Sequence, residues 1–121
     1  MGVVYHANYL VWFEIGRVEL LRELGFDYKA METELDTGVV VVDAHLRYKS
    51  PARYDDELVI KTRVIALRKF VLQFGYQIVH EANGKLLCEG ETTHVITNSK
   101  LEKRSLPADC EAALLAAMGR A

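Results

Sequence analysis

Apolar residues between Tyr9 and Leu24 recur at intervals of three and four, which predicts an amphipathic α-helix. The apolar stripe contains Leu10, Phe13, Leu20, Leu21 and Leu24. Asn8 is a suitable N-cap, and Gly25 stands where a glycine in the left-handed conformation often ends a helix. The pattern therefore predicts one long helix near the start of the chain.

Beyond this helix, apolar and polar residues alternate, which is typical of β-strands with one buried face. Four strands are expected, near residues 40–48, 58–64, 70–78 and 85–97. In the first, one face is expected to carry Val40, Val42, Ala44, Leu46 and Tyr48. In the third, the inward residues are expected to be Phe70, Leu72, Phe74, Tyr76 and Ile78. In the fourth, residues 87, 89, 91, 93 and 95 alternate with residues 88, 90, 92, 94 and 96.

The connections between these elements are also visible in the sequence. The segment 50–56 contains a proline and an acidic pair, Asp55 and Asp56, which favours a turn over a metal site. Asn83-Gly84 is a strong signal for a hairpin. Pro107 is expected to open a short C-terminal helix whose apolar side includes Leu114, Leu115 and Met118.

A sheet with one apolar face has to be covered on that face, and the long helix is the obvious cover. The sequence therefore predicts the α+β class, with residues 1–121 forming a single domain.

Composition narrows the possible functions. The formal net charge is −2, so we expect no nucleic-acid partner, which would call for a basic surplus. Cys88 and Cys110 have no metal-site or framework spacing and are expected to be free thiols. No apolar run approaches the roughly 18 residues of a membrane span, and no signal-peptide pattern is visible, so a cytoplasmic location is expected.

Several segments carry a family resemblance. The run Gly2–Tyr9, continued by Trp12–Glu14 and Arg17, resembles the signature of hotdog-fold acyl-CoA thioesterases, most closely the 4-hydroxybenzoyl-CoA and Tol-Pal-associated branch. The segments Tyr48–Asp56 and Arg68–Phe70 resemble two connections of that group. The resemblance implies a curved antiparallel sheet wrapped around one long central helix. It also implies hydrolysis of short-chain or aromatic acyl-CoA without a cofactor or metal, in a homodimer or homotetramer with active sites at the subunit interface.

Thioester hydrolysis needs hydrogen-bond donors for the carbonyl oxygen and a carboxylate that attacks or activates water. The resemblance places the donor, a backbone N–H, at His6, beside Tyr5 and just ahead of the helix, although His6 may instead cap the helix. Glu14 is the candidate carboxylate within the chain. The alternative for Glu14 is an ion pair with Arg17, one turn away.

The resemblance also suggests substrate-binding residues. Arg68 and Lys69 match a basic turn that holds coenzyme A phosphates, unless they are simply a solvated turn. Asn8 and Tyr9 lie at the start of the helix, where substrate would bind. The aromatic residues there, Tyr5, Tyr9 and Trp12, would line an acyl slot or else belong to the core. The remaining histidines are expected to be non-catalytic, namely His45, His80 and His94.

In the resembling group an aspartate, the usual nucleophile or base, stands three residues before the glycine that matches Gly2. We expect either that the natural chain starts upstream of Met1 and carries this aspartate, or that Glu14 replaces it. A non-catalytic acyl-CoA-binding protein is the main alternative. A hydratase or dehydratase is less favoured, because those relatives have a Pro-Gly motif that this sequence lacks.

Overall fold

The computed structural model describes residues 8–118. The elements in chain order are α1 (Asn8–Glu23), α2 (Tyr28–Glu34), β1 (Gly38–Tyr48), β2 (Leu58–Arg68), β3 (Val71–His80), β4 (Leu86–Thr97) and α3 (Ala108–Met118). The four strands form one antiparallel sheet in the order β1-β4-β3-β2. This arrangement confirms the predicted α+β class and the hotdog arrangement of sheet and long helix.

The C-terminal end of α1 follows from Gly25, as predicted. This glycine has a φ of 95°, which costs little because it has no Cβ. The N–H of Gly25 donates to the carbonyl of Arg22 at 2.9 Å, and that of Phe26 to the carbonyl of Leu21 at 2.9 Å. The two bonds form a Schellman motif, which satisfies carbonyls left open at the helix end.

At its other end, α1 already includes Asn8, so the predicted cap residue belongs to the helix. The position that would cap the helix lies outside the described residues. The prediction that Leu10 faces the core was wrong, because 44% of its surface is exposed. Phe13 and Leu21, by contrast, are buried as predicted.

The short helix α2 was not predicted. Asp27 is its N-cap, and the Asp27 carboxylate accepts from the N–H groups of Lys29 at 2.8 Å and Ala30 at 3.4 Å. An aspartate ahead of a buried apolar residue, here Met31, is the signal that would have indicated this helix.

The predicted alternation in β1 fails at its first half because of a β-bulge. The register with β4 shifts between Val41 and Asp43, so Val42 is the extra residue. Before the bulge, Val39 and Val41 lie opposite the inward-facing Ile96 and His94. Val40 and Val42 therefore do not share the face of Ala44, as the uninterrupted alternation had predicted. A run of consecutive valines does not show where such a bulge lies, because its residues are identical.

The inward face of β3 is as predicted, since Leu72, Phe74, Tyr76 and Ile78 are all buried. Phe70 lies in the turn before the strand and is only half-buried. On β4 the buried inward residues are Cys88, Gly90, Thr92, His94 and Ile96. The hairpin at Asn83-Gly84 is confirmed, with Gly84 at a φ of 71°.

Helix α1 packs directly on the sheet at Gly90. A Cβ at this position would clash with the backbone carbonyl of His45 and meet the ring of Phe13 at 2.9 Å. Because Gly90 has no side chain, Phe13 can lie against the strand and stack on Tyr76. The N-terminal turn of α1 is held at the same end of the sheet, where Tyr9 makes an edge contact with Tyr48.

Helix α3 packs on β2 and buries Cys110 and Leu114. Leu115 was predicted to face inward, but 47% of its surface is exposed. Both cysteines are free, as expected, and both are buried, which raises the pKa of each thiol to about 11. None of the helices within residues 8–118 has the length and apolar character needed to cross a membrane.

Candidate active site

A cleft of about 390 Å³ lies where α1, α2 and β1 meet. The residues that line this α1–α2–β1 cleft are Glu14, Arg17, Val18, Tyr28, Lys29, Glu32, Val39 and Val41. It therefore combines an apolar wall of valines with two acidic and two basic side chains. Glu14, the carboxylate proposed from the sequence, is one of them.

Glu14 and Arg17 lie one helical turn apart in the cleft but do not form the ion pair that the sequence left open. Glu14 is exposed and Arg17 is half-buried. Among residues 8–118, no carboxylate oxygen lies within 4.0 Å of the Arg17 guanidinium. The carboxylate of Glu14 is therefore accessible and not occupied by its cationic neighbour.

A chain of polar side chains runs from the cleft into the core. Arg17 donates to the hydroxyl of Tyr76 at 3.5 Å, which is a long contact. The Tyr76 hydroxyl lies 2.6 Å from the Thr92 hydroxyl, which in turn lies 2.8 Å from Nε2 of His94. Thr92 and His94 are almost completely buried. These hydrogen bonds supply partners for hydroxyl groups that would otherwise be costly to bury.

An arginine only donates, so the Tyr76 oxygen accepts from Arg17. The directions of the Tyr76–Thr92 and Thr92–His94 hydrogen bonds depend on which ring nitrogen of His94 carries the proton. Burial and the charge of Arg17 together lower the pKa of His94 to about 4, which agrees with a neutral ring. The His94 ring is buried and packs edge-on against Phe74, with ring centroids 5.4 Å apart.

Tyr28 brings α2 into the cleft. Its hydroxyl is buried, and no contact within residues 8–118 satisfies hydrogen-bond geometry for it. Burial raises the pKa of Tyr28 to about 12, although the nearby charge of Arg17 acts in the opposite direction. The phenol therefore stays neutral and lies close to the guanidinium.

The other residues predicted near the helix N-terminus lie away from this cleft. Tyr9 is only 3% exposed, and its hydroxyl accepts from the N–H of Ala52 at 3.2 Å. Its ring packs edge-on against Trp12 at 4.9 Å. This placement favours the core role that the sequence left open for both aromatic residues. Asn8 is exposed at the first described turn, while Tyr5 and His6 lie outside the described residues.

Arg68 and Lys69 form an exposed turn between β2 and β3, where Lys69 has a φ of 47°. Arg68 pairs with Val71 at one end of β3, whereas the N-terminal turn of α1 lies near the other end, around Ile78. The strand rise separates these two rows by about 23 Å. Within one subunit, therefore, the basic turn is not brought to the helix N-terminus.

The remaining histidines and the acidic residues of the segment 50–56 do not line the α1–α2–β1 cleft. His80 lies 3.3 Å from the carboxylate of Asp56, which also accepts from the N–H of Arg53 at 2.8 Å. The Arg53 N–H is the main reason that the pKa of Asp56 is lowered, and His80 adds to it. The Asp56 carboxylate thus stabilises the turn, as predicted. His45 is exposed on the outer face of the sheet, opposite Glu91.

A second depression, of about 330 Å³, lies on that outer face above Gly75. Its charged rim includes Arg47, which binds Glu89 at 3.2 Å and Glu91 at 2.6 Å. The guanidinium of Arg47 lowers the pKa of Glu91 by hydrogen bonding. These charges are already paired across strands and lie on the side of the sheet away from α1. They suit a solvated surface better than a reaction site.

Residues 1–117 match the family described as the Thioesterase-like superfamily. The chain belongs to this superfamily. The match confirms the family resemblance that the first residues of the sequence suggested.

Individual relatives of this thioesterase-family chain are named as thioesterases or thioester hydrolases. It is 39% identical to YneP of Bacillus subtilis over 102 residues, covering 83% of this chain and 71% of that protein. It is 38% identical over 107 residues to YbgC of Escherichia coli O6:H1, named an acyl-CoA thioester hydrolase, covering 88% and 78% of the two chains. The structure of a DHNA-CoA thioesterase from Staphylococcus aureus superposes with a TM-score of 0.90 at 28% identity. The superposition covers 98% of this chain and 81% of that protein.

Two residues of the cleft were not among the predicted site residues of this thioesterase-family chain. Arg17 was considered only as part of the family signature and as a partner for Glu14, although its spacing on the helix already placed both on one face. Tyr28 lies on the helix that was not predicted, so the alternation of apolar residues gave no signal for it.

Proposed function

We propose that this chain hydrolyses acyl-CoA thioesters and that Glu14 acts as general base in the α1–α2–β1 cleft. Membership of the Thioesterase-like superfamily and the similarity to a named acyl-CoA thioester hydrolase support the reaction. The single structural observation that carries the assignment of Glu14 is its place in the cleft. Its carboxylate is accessible there and has no ion-pair partner among residues 8–118.

The reaction needs few groups. Glu14 removes a proton from water as the water oxygen attacks the thioester carbonyl carbon. Backbone N–H groups at the start of α1, with His6 as the expected donor, stabilise the oxyanion, and the positive end of the helix dipole assists. The carbon–sulfur bond then breaks, and the coenzyme A thiolate takes up the proton. A carboxylic acid and the free thiol are the products, and no cofactor is required.

The proposal is tested with Glu14→Gln, which keeps the size of the side chain but cannot accept a proton. We expect kcat for a panel of short-chain and aromatic acyl-CoA esters to fall by ~100-fold or more, with KM little changed. Glu23→Gln is the matched control, because Glu23 is an exposed glutamate on the same helix outside the cleft. An unchanged kcat in Glu14→Gln would remove Glu14 from the mechanism while leaving thioester hydrolysis in place.

A second form of the protein separates the two carboxylates considered from the sequence. A form extended upstream so as to supply the family aspartate is expected to be faster than the 121-residue chain if that aspartate is the base. If Glu14 is the base, the two forms should have similar kcat values, and Glu14→Gln should inactivate both. Tight binding of acyl-CoA with no hydrolysis by either form would favour the non-catalytic binding protein instead.

The same proposal includes a homodimer or homotetramer formed through the free edge of β1. This edge strand exposes Val40, Val41 and Val42, at 38%, 45% and 57% of their surfaces, and a long apolar edge is prone to pair with another strand. Within one subunit, Arg68 and Lys69 lie about 23 Å along the strands from the helix N-terminus, where the oxyanion donor is expected. A second copy would supply them. The two free thiols support a reducing compartment, and we place the protein in the cytoplasm.

A further inference from the structure

The guanidinium of Arg17 has no anionic partner within 4.0 Å among residues 8–118. Its one contact in that part of the chain that meets hydrogen-bond geometry is the 3.5 Å contact with the hydroxyl of Tyr76, and the hydroxyl of Tyr28 lies close enough for hydrogen bonding with Arg17 to oppose the rise in the Tyr28 pKa. Removing a cation from water without an anionic partner is unfavourable. Most of its five N–H donors therefore have no acceptor within residues 8–118 and could bind a group that enters the cleft.

The surroundings of Arg17 favour a small ligand with an apolar body and an acidic end. Val18, Val39 and Val41 provide an apolar wall, and the cleft volume of about 390 Å³ lies at the small end of the range for ligand sites. Tyr28 adds a buried, neutral hydroxyl beside the guanidinium. A planar guanidinium with a neighbouring hydroxyl donor is well suited to a carboxylate, whose oxygens accept two parallel hydrogen bonds.

We propose that the α1–α2–β1 cleft binds the acyl group of the thioester and that Arg17 binds a carboxylate at the far end of that group. The preferred substrates are then coenzyme A esters of short dicarboxylic acids. This inference rests on the proposed function, because it places the acyl group of the hydrolysed thioester in the cleft that contains Glu14.

The spacing on α1 limits the length of the acyl group. Glu14 and Arg17 are three residues apart, which corresponds to about 4.5 Å along the helix axis. A thioester carbonyl beside Glu14 and a carboxylate beside Arg17 are therefore separated by only a few carbon atoms. Tyr76, itself hydrogen-bonded to Thr92 at 2.6 Å, contacts the guanidinium at 3.5 Å, and no other acceptor within residues 8–118 meets hydrogen-bond geometry with it.

The experiment compares glutaryl-CoA with pentanoyl-CoA, which have acyl chains of equal length and differ in the terminal carboxylate. We expect kcat/KM of the wild type to be roughly 10- to 100-fold higher for glutaryl-CoA, mostly through KM. Arg17→Gln should abolish this preference, because it should lower kcat/KM for glutaryl-CoA at least roughly 10-fold more than kcat/KM for pentanoyl-CoA. Arg22→Gln is the matched control, since Arg22 is an exposed arginine of the same helix that pairs with Glu19 at 2.7 Å. It should keep the preference.

The outcomes separate the two proposals. Equal hydrolysis of both esters by the wild type, or an equal loss for both in Arg17→Gln, would overturn the assignment of Arg17 and leave thioester hydrolysis intact. If the wild type hydrolysed neither of these two esters and no ester of the wider panel, both the proposed function and this inference would be overturned. Arg17→Lys, which keeps the charge but not the fork of donors, should retain part of the preference for glutaryl-CoA.

Discussion

The ring of Phe13 stacks on the ring of Tyr76, with centroids 4.2 Å apart and planes 6° from parallel. This contact fixes α1 over β3 and brings Arg17, one turn further along the helix, to the Tyr76 hydroxyl. The same tyrosine therefore belongs to the core through its ring and to the candidate site through its oxygen. Changes at Tyr76 separate these two roles.

Tyr76→Phe keeps the stack and removes the hydroxyl. Thr92 then loses its 2.6 Å partner in the core, and Arg17 loses its 3.5 Å contact with the Tyr76 hydroxyl. We expect the free energy of unfolding to fall by about 1–2 kcal/mol in urea denaturation. Tyr76→Leu also removes the ring, so it should cost clearly more than Tyr76→Phe. Equal losses in the two variants would show that the hydroxyl, not the stack, dominates.

Gly90→Ala tests the close approach of helix and sheet. The added Cβ would clash with the backbone carbonyl of His45 and press on Phe13, and a strand backbone cannot move aside cheaply. We expect a loss of about 1–3 kcal/mol or more of stability by thermal or urea denaturation. Gly38→Ala is the control, because the nearest atom to its Cβ is a carbonyl oxygen 3.9 Å away. Its stability should stay within roughly 0.5 kcal/mol of wild type.

His94 should make the stability depend on pH below neutrality. In the folded protein its pKa is lowered to about 4, whereas an unfolded histidine has its ordinary value of about 6.5. Between these values the unfolded chain binds a proton that the folded protein does not. Stability should therefore fall as the pH drops from about 6.5 towards 4, by on the order of 3 kcal/mol.

The measurement for His94 is urea denaturation at several pH values between 4 and 7. His94→Gln removes the titrating group, so its stability should vary less with pH over this window, whatever its absolute value. Asp56 and Glu91, whose pKa values are lowered, contribute at more acidic pH, because their stabilisation is lost only as the pH falls below the ordinary carboxyl range. A slope as steep in the variant as in wild type would assign the pH dependence to other groups.

The double substitution Arg68→Ala with Lys69→Ala tests the proposed phosphate contacts. Such contacts bind substrate and transition state alike, so KM for acyl-CoA should rise roughly 10- to 100-fold with kcat little changed. Lys100→Ala with Lys103→Ala removes two charges from a different exposed loop and should leave KM unaltered. Unchanged calorimetric affinity of the first variant for free coenzyme A would exclude this turn as the binding site.

Val42→Asp tests the pairing of β1 edges between subunits. Val42 is the bulge residue of β1 and is 57% exposed, so an aspartate there is tolerated by the monomer but repels a second edge. Light scattering at micromolar concentration should show dissociation relative to wild type. Leu115→Asp, at an exposed apolar residue of α3, is the control and should keep the oligomer. A wild type that is already monomeric would contradict the shared-interface site.

The sequence by itself determined the main elements. The helical stripe around Phe13, the glycine at position 25 and the Asn83-Gly84 turn each reflect local backbone and side-chain preferences, so they can be read from a single segment. The motif that begins at Gly2 indicated the family, and Glu14 was named as a candidate carboxylate from the same stretch.

Only the tertiary structure decided which residues of β1 face the core and which residues line the cleft. The bulge at Val42 depends on the register with β4, which a run of similar valines does not encode. Arg17 becomes a half-buried cation, with no anionic partner among residues 8–118, only when α2 and β1 close around it, and Tyr28 reaches it from a separate helix. Burial, pairing and pKa are properties of residues brought together across the chain. The spacing along one segment therefore cannot supply them.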